Sequence, residues 1–137
     1  MINFHYEEID FKVKQILKIK AWLKSVIKEE GFILSEINYI LCNDEYLHKI
    51  NLDYLDHDTY TDIITFDNSE EETLIEGDIF VSIDRVNENA KDFNSPFEQE
   101  FRRVLVHGVL HLCGYFDKSV EDEKLMRMKE EYYLNNW

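Results

Sequence analysis

Proline is nearly absent from this chain, with one residue in 137, and glycine and cysteine are scarce at four and two. So little punctuation leaves no room for a Pro- or Gly-rich linker, and no segment repeats another. Residues 1–137 therefore read as a single domain. Two thiols, Cys42 and Cys113, do not make a disulfide framework, and a reduced, cytoplasmic setting is expected. No apolar run reaches the ~18 residues that suggest a membrane helix. The stretch Met1-Ile2-Asn3-Phe4-His5 is neither basic nor followed by the apolar region of a secretory signal. Positive charge is also short: 15 Lys and Arg stand against 29 Asp and Glu, a net charge of −14. A field of that sign repels polyanions at long range, so any nucleic acid has to be held by local contacts. The shortage is uneven. Residues 1–28 carry six lysines against three acids, a net of +3, and the remainder carries nine basic against 26 acidic residues, a net of −17.

What the chain does have is core-forming material: 45% hydrophobic residues, with nine Phe, eight Tyr and two Trp. Ile2, Phe4 and Tyr6 alternate as in a strand. From about Phe11 to Glu30 the period becomes helical, with Ile16, Ile19, Leu23, Val26 and Ile27 on one face, a lysine stripe on the other and Gly31 at the end. The stripe (Lys14, Lys18, Lys20, Lys24, Lys28) is either a solvated face or an RNA-facing patch. Ile37–Cys42 reads as a strand, followed by a short helix capped by Asn43 or Asp44 and carrying Tyr46, Leu47, Ile50 and Leu55. Asp62–Phe66 and Gly77–Ser82 read as two more strands around an acidic loop. Asp84 to about Phe93 reads as a helix. Ser95-Pro96-Phe97-Glu98 looks like a capping box with proline at the first helical position. The helix it opens is expected to run to Cys113, with Phe97, Phe101, Val104, Leu105, Gly108 and Leu112 as its core stripe. Ser119 opens a last amphipathic helix with Leu125, Met126, Met128, Tyr132 and Tyr133. The expected fold is α+β: one domain with a mixed sheet of about four strands and about five helices.

The chemistry concentrates in His107-Gly108-Val109-Leu110-His111-Leu112-Cys113-Gly114-Tyr115-Phe116-Asp117. Residues four apart on a helix lie on one face, roughly 5–6 Å apart at Cβ, so both imidazoles can reach one ion. Gly114 lets the helix stop and the chain turn back. Asp117 then arrives as a third ligand, leaving a fourth position open, which is the layout of catalytic zinc. The competing reading is a pair of core-edge histidines bonded to nearby carbonyls, with Asp117 a surface residue. An apolar helix argues against it, since buried imidazoles need partners. The string also parallels the metzincin peptidase pattern H-E-x-x-H-x-x-G-x-x-H. Here Gly108 stands where a peptidase has its general-base glutamate, which argues against peptide hydrolysis. Cys113 reads as buried packing rather than as a fourth ligand.

His107–Tyr115 resembles the H-G-x-L-H-L-x-G-Y signature of the YbeY family of bacterial endoribonucleases. Ile50-Asn51 and Tyr54, Thr61–Phe66 (like T-D-V-L-S-F) and Gly77-Asp78-Ile79 (like G-D-I) extend the likeness over about residues 40–134. It implies a single YbeY-like metallohydrolase domain with one Zn²⁺ per chain, cleaving single-stranded RNA at the ribosome. The implied task is maturation of rRNA, including the 3′ end of the small-subunit RNA, and ribosome quality control. Two positions depart. The family usually ends its signature D-H, where this chain has Phe116-Asp117, so His107, His111 and Asp117 are the expected ligands. Many members carry an arginine where this chain has Leu55, which leaves the phosphate-binding group open. His57, Arg102 and Arg103 are candidates, each with a structural or surface alternative. Lys14, Lys18, Lys24 and Arg102 are the expected RNA contacts, and no general base is nominated. A ribosome-assembly binding module, stabilised by zinc and weak in catalysis, is the alternative that Leu55 favours.

Overall fold

The computed structural model describes residues 1–137. Four strands, β1 (Ile2–Glu7), β2 (Ile33–Cys42), β3 (Ile63–Asp67) and β4 (Leu74–Ser82), form one sheet in the order β1-β2-β4-β3. β1 and β4 lie parallel to β2, and β3 closes the edge antiparallel to β4. Five helices complete the chain: α1 (Ile16–Glu29), α2 (Asp44–Leu55), α3 (Ile83–Asp92), α4 (Phe97–Leu112) and α5 (Val120–Asn135). The α+β expectation and the mixed four-stranded sheet are both found.

Strand alternation sorts the side chains to two faces. Ile37, Tyr39, Leu41, Ile75, Ile79 and Val81 join α1, α4 and α5 in the main core. Cys42 and Ile64, with Phe66 and Phe80 beside them, face the other way under Leu47 of α2. The Tyr39 hydroxyl, fully buried, donates to the Leu105 carbonyl at 2.7 Å and pins α4 to the middle of the sheet. The Trp22 indole donates to the Tyr133 carbonyl at 3.0 Å and ties α1 to α5.

Three helix starts follow side-chain capping. Asn43 accepts from the Tyr46 amide, Ser82 from Arg85 and Ser119 from Asp122. Two starts differ from the sequence expectation. α1 begins at Ile16, not near Phe11, because Phe11 packs edge-on against Phe97 and Phe101 at 5.7 and 5.6 Å and holds its segment outside the helix. At α4, Pro96 itself is the cap residue, with ψ at 144°, so the helix starts one residue later and Ser95 makes no capping bond. The inner face of α5 also differs. Leu125, Met128 and Tyr132 are exposed, and the buried stripe is Met126, Glu130 and Tyr133. A carboxylate thus occupies a core position on α5, and it belongs to the site.

Candidate metal centre

α4 carries His107 and His111 one turn apart, and its end is built to return the chain toward them. The Gly114 amide donates to the His111 carbonyl at 3.0 Å and the Tyr115 amide to Leu110 at 3.1 Å. That pair of bonds, with Gly114 at φ +101°, is a Schellman stop. The turn brings Asp117 Oδ2 to 3.8 Å from His107 Nε2. His107, His111 and Asp117 all line one cavity of about 220 Å³, together with Thr61, Asp62 and Arg103.

Behind His107 lies a buried polar group of three. Glu130 Oε2 sits 2.6 Å from His107 Nδ1, and Glu130 Oε1 accepts from Arg103 Nη1 at 3.0 Å. Arg103 also holds Glu100, with Nε donating to Oε1 at 2.9 Å and a second bond beside it. Glu100 and Glu130 are only 3% and 2% exposed, so Arg103 is what makes their burial tolerable. Burial works to raise the Glu130 carboxyl, but the hydrogen bond from His107 and the Arg103 charge hold it below its ordinary value. Ionised Glu130 can only accept, so the proton of a neutral His107 ring sits on Nδ1 and the Nε2 lone pair faces Asp117. At His111, burial pushes the imidazole down, and a proton on His107 would push it further, which favours the neutral form that binds metal. Phe116 packs edge-on against that ring at 5.9 Å.

The donor set suits zinc: two neutral imidazoles, one carboxylate and an outer carboxylate on the remote ring nitrogen. Two donors each about 2.0–2.1 Å from zinc at a tetrahedral angle stand about 3.3 Å apart. The 3.8 Å gap between His107 and Asp117 is wider. As the side chains stand, no three His, Cys, Asp or Glu groups are gathered closely enough to grip an ion. Asp117 is 54% exposed. Cys113 packs against the main core, and burial, helped by the charge of Glu30, raises its thiol to about 12. Cys113 does not line the histidine cavity.

Gly108 does not line the cavity, and its side of α4 meets the sheet. A Cβ there would meet Ile63 Cδ1 at 3.0 Å and Ile79 at 3.1 Å. The position that carries a peptidase's glutamate is therefore pressed against the sheet, and a side chain on it would have to displace Ile63 or Ile79.

The other nominated residues are elsewhere. Lys18 Nζ and Arg102 lie over the Trp137 ring, 4.2 and 4.5 Å from its centroid. Lys14 lines a separate cavity with Asp10 and Asp84, and Lys24 is exposed on α1. None of the four lines the histidine cavity. Arg103 does line it but is committed to Glu100 and Glu130. His57 is exposed in the segment after α2, and Leu55 is 40% exposed at that helix's end.

Sequence reasoning missed Glu130 and Asp62. Glu130 had one available signal: it falls on the same α5 stripe as Met126 and Tyr133. Asp62 begins the strand motif, and only the fold carries it to the cavity. Burial raises its carboxyl, partly offset by Arg103 and His107, and Asn89 Nδ2 donates to its Oδ2 at 3.3 Å.

The fold and the site together define an α+β domain with a histidine–carboxylate cleft at the end of a buried helix. The family model described as "Endoribonuclease YbeY" matches residues 1–137, and the chain belongs to the YbeY endoribonuclease family. The chain is 56% identical over 131 residues to the protein named "Endoribonuclease YbeY" of Flavobacterium johnsoniae, covering 96% of this chain and 93% of that one. It is 50% identical over 134 residues to the protein of that name in Cytophaga hutchinsonii, covering 98% and 94%. The solution structure of TM1509 from Thermotoga maritima superposes with a TM-score of 0.72 at 31% identity, covering 98% of this chain and 87% of that one.

Proposed function

We propose that the chain is a zinc-dependent endoribonuclease that cuts single-stranded RNA during rRNA maturation in the cytoplasm, the small-subunit 3′ end included. One observation carries the zinc reading: His107 is held by a buried carboxylate on Nδ1 while its Nε2 faces Asp117, with His111 one turn further along the same cavity. His107, His111 and Asp117 would hold one ion, and zinc bound there supplies a Lewis acid and lowers the pKa of water to about 7.

The chain's own groups do the rest. Glu130 fixes the tautomer and aim of His107, and Arg103 keeps Glu130 ionised in its buried place. Asp62, in the same cavity and raised by burial, is the group that can accept a proton there. Its Oδ2 is engaged by Asn89, which leaves Oδ1 for that task. Lys14, Lys18, Lys24 and Arg102 lie outside the cleft, and in this reading they meet only the outer part of a long strand.

The test is cleavage of a labelled single-stranded RNA by the parent, His107→Ala and Asp117→Ala, with zinc and with chelator. Zinc-dependent cutting by the parent, lost in both variants, is expected. Ribosome binding with no cutting by any form would replace this reading with the assembly-module one, which Leu55 favours.

A further inference from the structure

The chain between α2 and β3 runs over the surface before it delivers Asp62 to the cleft. Residues 56–60 are all exposed, and residues 58–61 make no backbone–backbone hydrogen bond. A surface segment with so little main-chain support is fixed only as firmly as its side chains fix it. Here they are clasped from α2. The His48 ring stacks on the Tyr60 ring, with centroids 4.3 Å apart and planes 22° apart. His48 Nε2 also lies 2.8 Å from Asp58 Oδ1. Asn51, 3% exposed, donates from Nδ2 to the Thr59 carbonyl at 2.9 Å. Arg85 of α3, bound to Asp44 at 2.6 Å, stands over the Tyr60 ring 5.7 Å from its centroid. Asp58, Thr59 and Tyr60 are thus each held by a side chain of α2.

Resting on the reading of Asp62 as the proton acceptor, we infer that the His48–Tyr60 stack positions Asp62 for the reaction. Neither ring lines the cavity, so both residues act through Asp62. Asp62 is fixed on its strand side, where its carbonyl accepts from the Ser82 amide at 2.9 Å and its Oδ2 from Asn89 at 3.3 Å. On its other side only Thr61 separates it from Tyr60. The direction in which the chain enters Asp62 is therefore set by where the clasp puts Tyr60. That direction decides whether Oδ1 lies within hydrogen-bond reach of the proton it is to accept. A misplacement of about 1 Å, even from a change far from the chemistry, can cost about 10²-fold in rate. A stacked pair suits the task, because two flat rings in contact fix both a spacing and a plane.

The experiment measures kcat and KM for cleavage of a labelled single-stranded RNA with zinc. It compares the parent, Tyr60→Ala, Tyr60→Phe, His48→Ala, Asp62→Asn and the double variant Tyr60→Ala/Asp62→Asn. Tyr60→Ala and His48→Ala should each lower kcat by about tenfold or more, with KM and zinc affinity like the parent's. Tyr60→Phe keeps the stack and should cut within about twofold of the parent. In the Asp62→Asn background, Tyr60→Ala should cost less than about twofold, because the group it places is already gone. An equal loss in both backgrounds would give the stack a role in the fold alone and overturn the inference. A rise in KM at unchanged kcat would make Tyr60 a substrate contact and overturn it as well. A parent that cuts no RNA, or an Asp62→Asn variant as fast as the parent, would overturn the reading of Asp62 and this inference with it.

Discussion

Glu130 sets what His107 can do. A carboxylate on Nδ1 fixes the tautomer and raises the basicity of Nε2, and outer partners of this kind typically contribute 10- to 100-fold in metal affinity. Glu130→Gln keeps an acceptor within reach of Nδ1 but removes the charge. It should therefore weaken zinc binding by about that factor, read by competition with a chromophoric chelator; unchanged affinity would leave Glu130 only a packing role. Asp62 separates from it experimentally. Asp62→Asn should lower kcat by about 10²–10⁴, the range for a lost acid–base group, with zinc content and KM close to the parent's. A loss of zinc in that variant would move Asp62 from proton transfer to metal binding. Both residues escaped the sequence reading for one reason: a carboxylate is common on surfaces, and only its tertiary position, buried against His107 for Glu130 and lining the cavity for Asp62, distinguishes it.

At the scale of the element, α4 serves two masters. One face offers His107 and His111 to the cleft, while Gly108 lets the adjoining side of the helix approach Ile63 and Ile79. Replacing Gly108 by Ala sets a helix-propensity gain of about 1 kcal/mol against crowding from contacts near 3 Å, so the net change should be small. Gly108→Glu has no such balance. It forces a long carboxylate into the sheet and should destabilise the fold by roughly 3 kcal/mol or more in urea unfolding. It should also show no peptidase activity, although it recreates H-E-x-x-H in the sequence. A stable, casein-cleaving Gly108→Glu protein would refute the orientation of this face. The end of α4 was legible in advance, since Gly114 sits where a left-handed stop is needed. Its start was not: Ser95-Pro96 has the letters of a capping box, but Pro96 stays extended at ψ 144° and takes the cap position itself.

Across the whole molecule, Glu30 joins elements far apart in the chain. From the end of α1 its carboxylate accepts from Tyr115 at 2.7 Å, from Lys129 at 3.1 Å and from Tyr133. Burial works to raise this carboxyl, but the three hydrogen bonds hold it below its ordinary value of 4.5. A carboxyl lowered by folding stabilises the fold above its unfolded pKa, and that contribution is lost as pH falls through the lower, folded value. Glu30→Gln should thus be less stable than the parent at pH 7. The gap in unfolding free energy should hold down to about pH 5 and shrink below 4.5. A gap independent of pH would mean that the ionised carboxylate is not what joins these elements.

Periodicity and spacing were enough for the strands, the helices, the α+β class and the pairing of His107 with His111, because each depends on neighbours within a turn or a strand. The tertiary structure alone decided the sheet order, the delivery of Asp62 from a strand and of Glu130 from α5 to the same cleft, and the removal of Lys18 and Arg102 to Trp137. Those outcomes depend on which faces pack together over long stretches of chain. A local pattern shows that a face is apolar or charged, but it does not say what that face will meet.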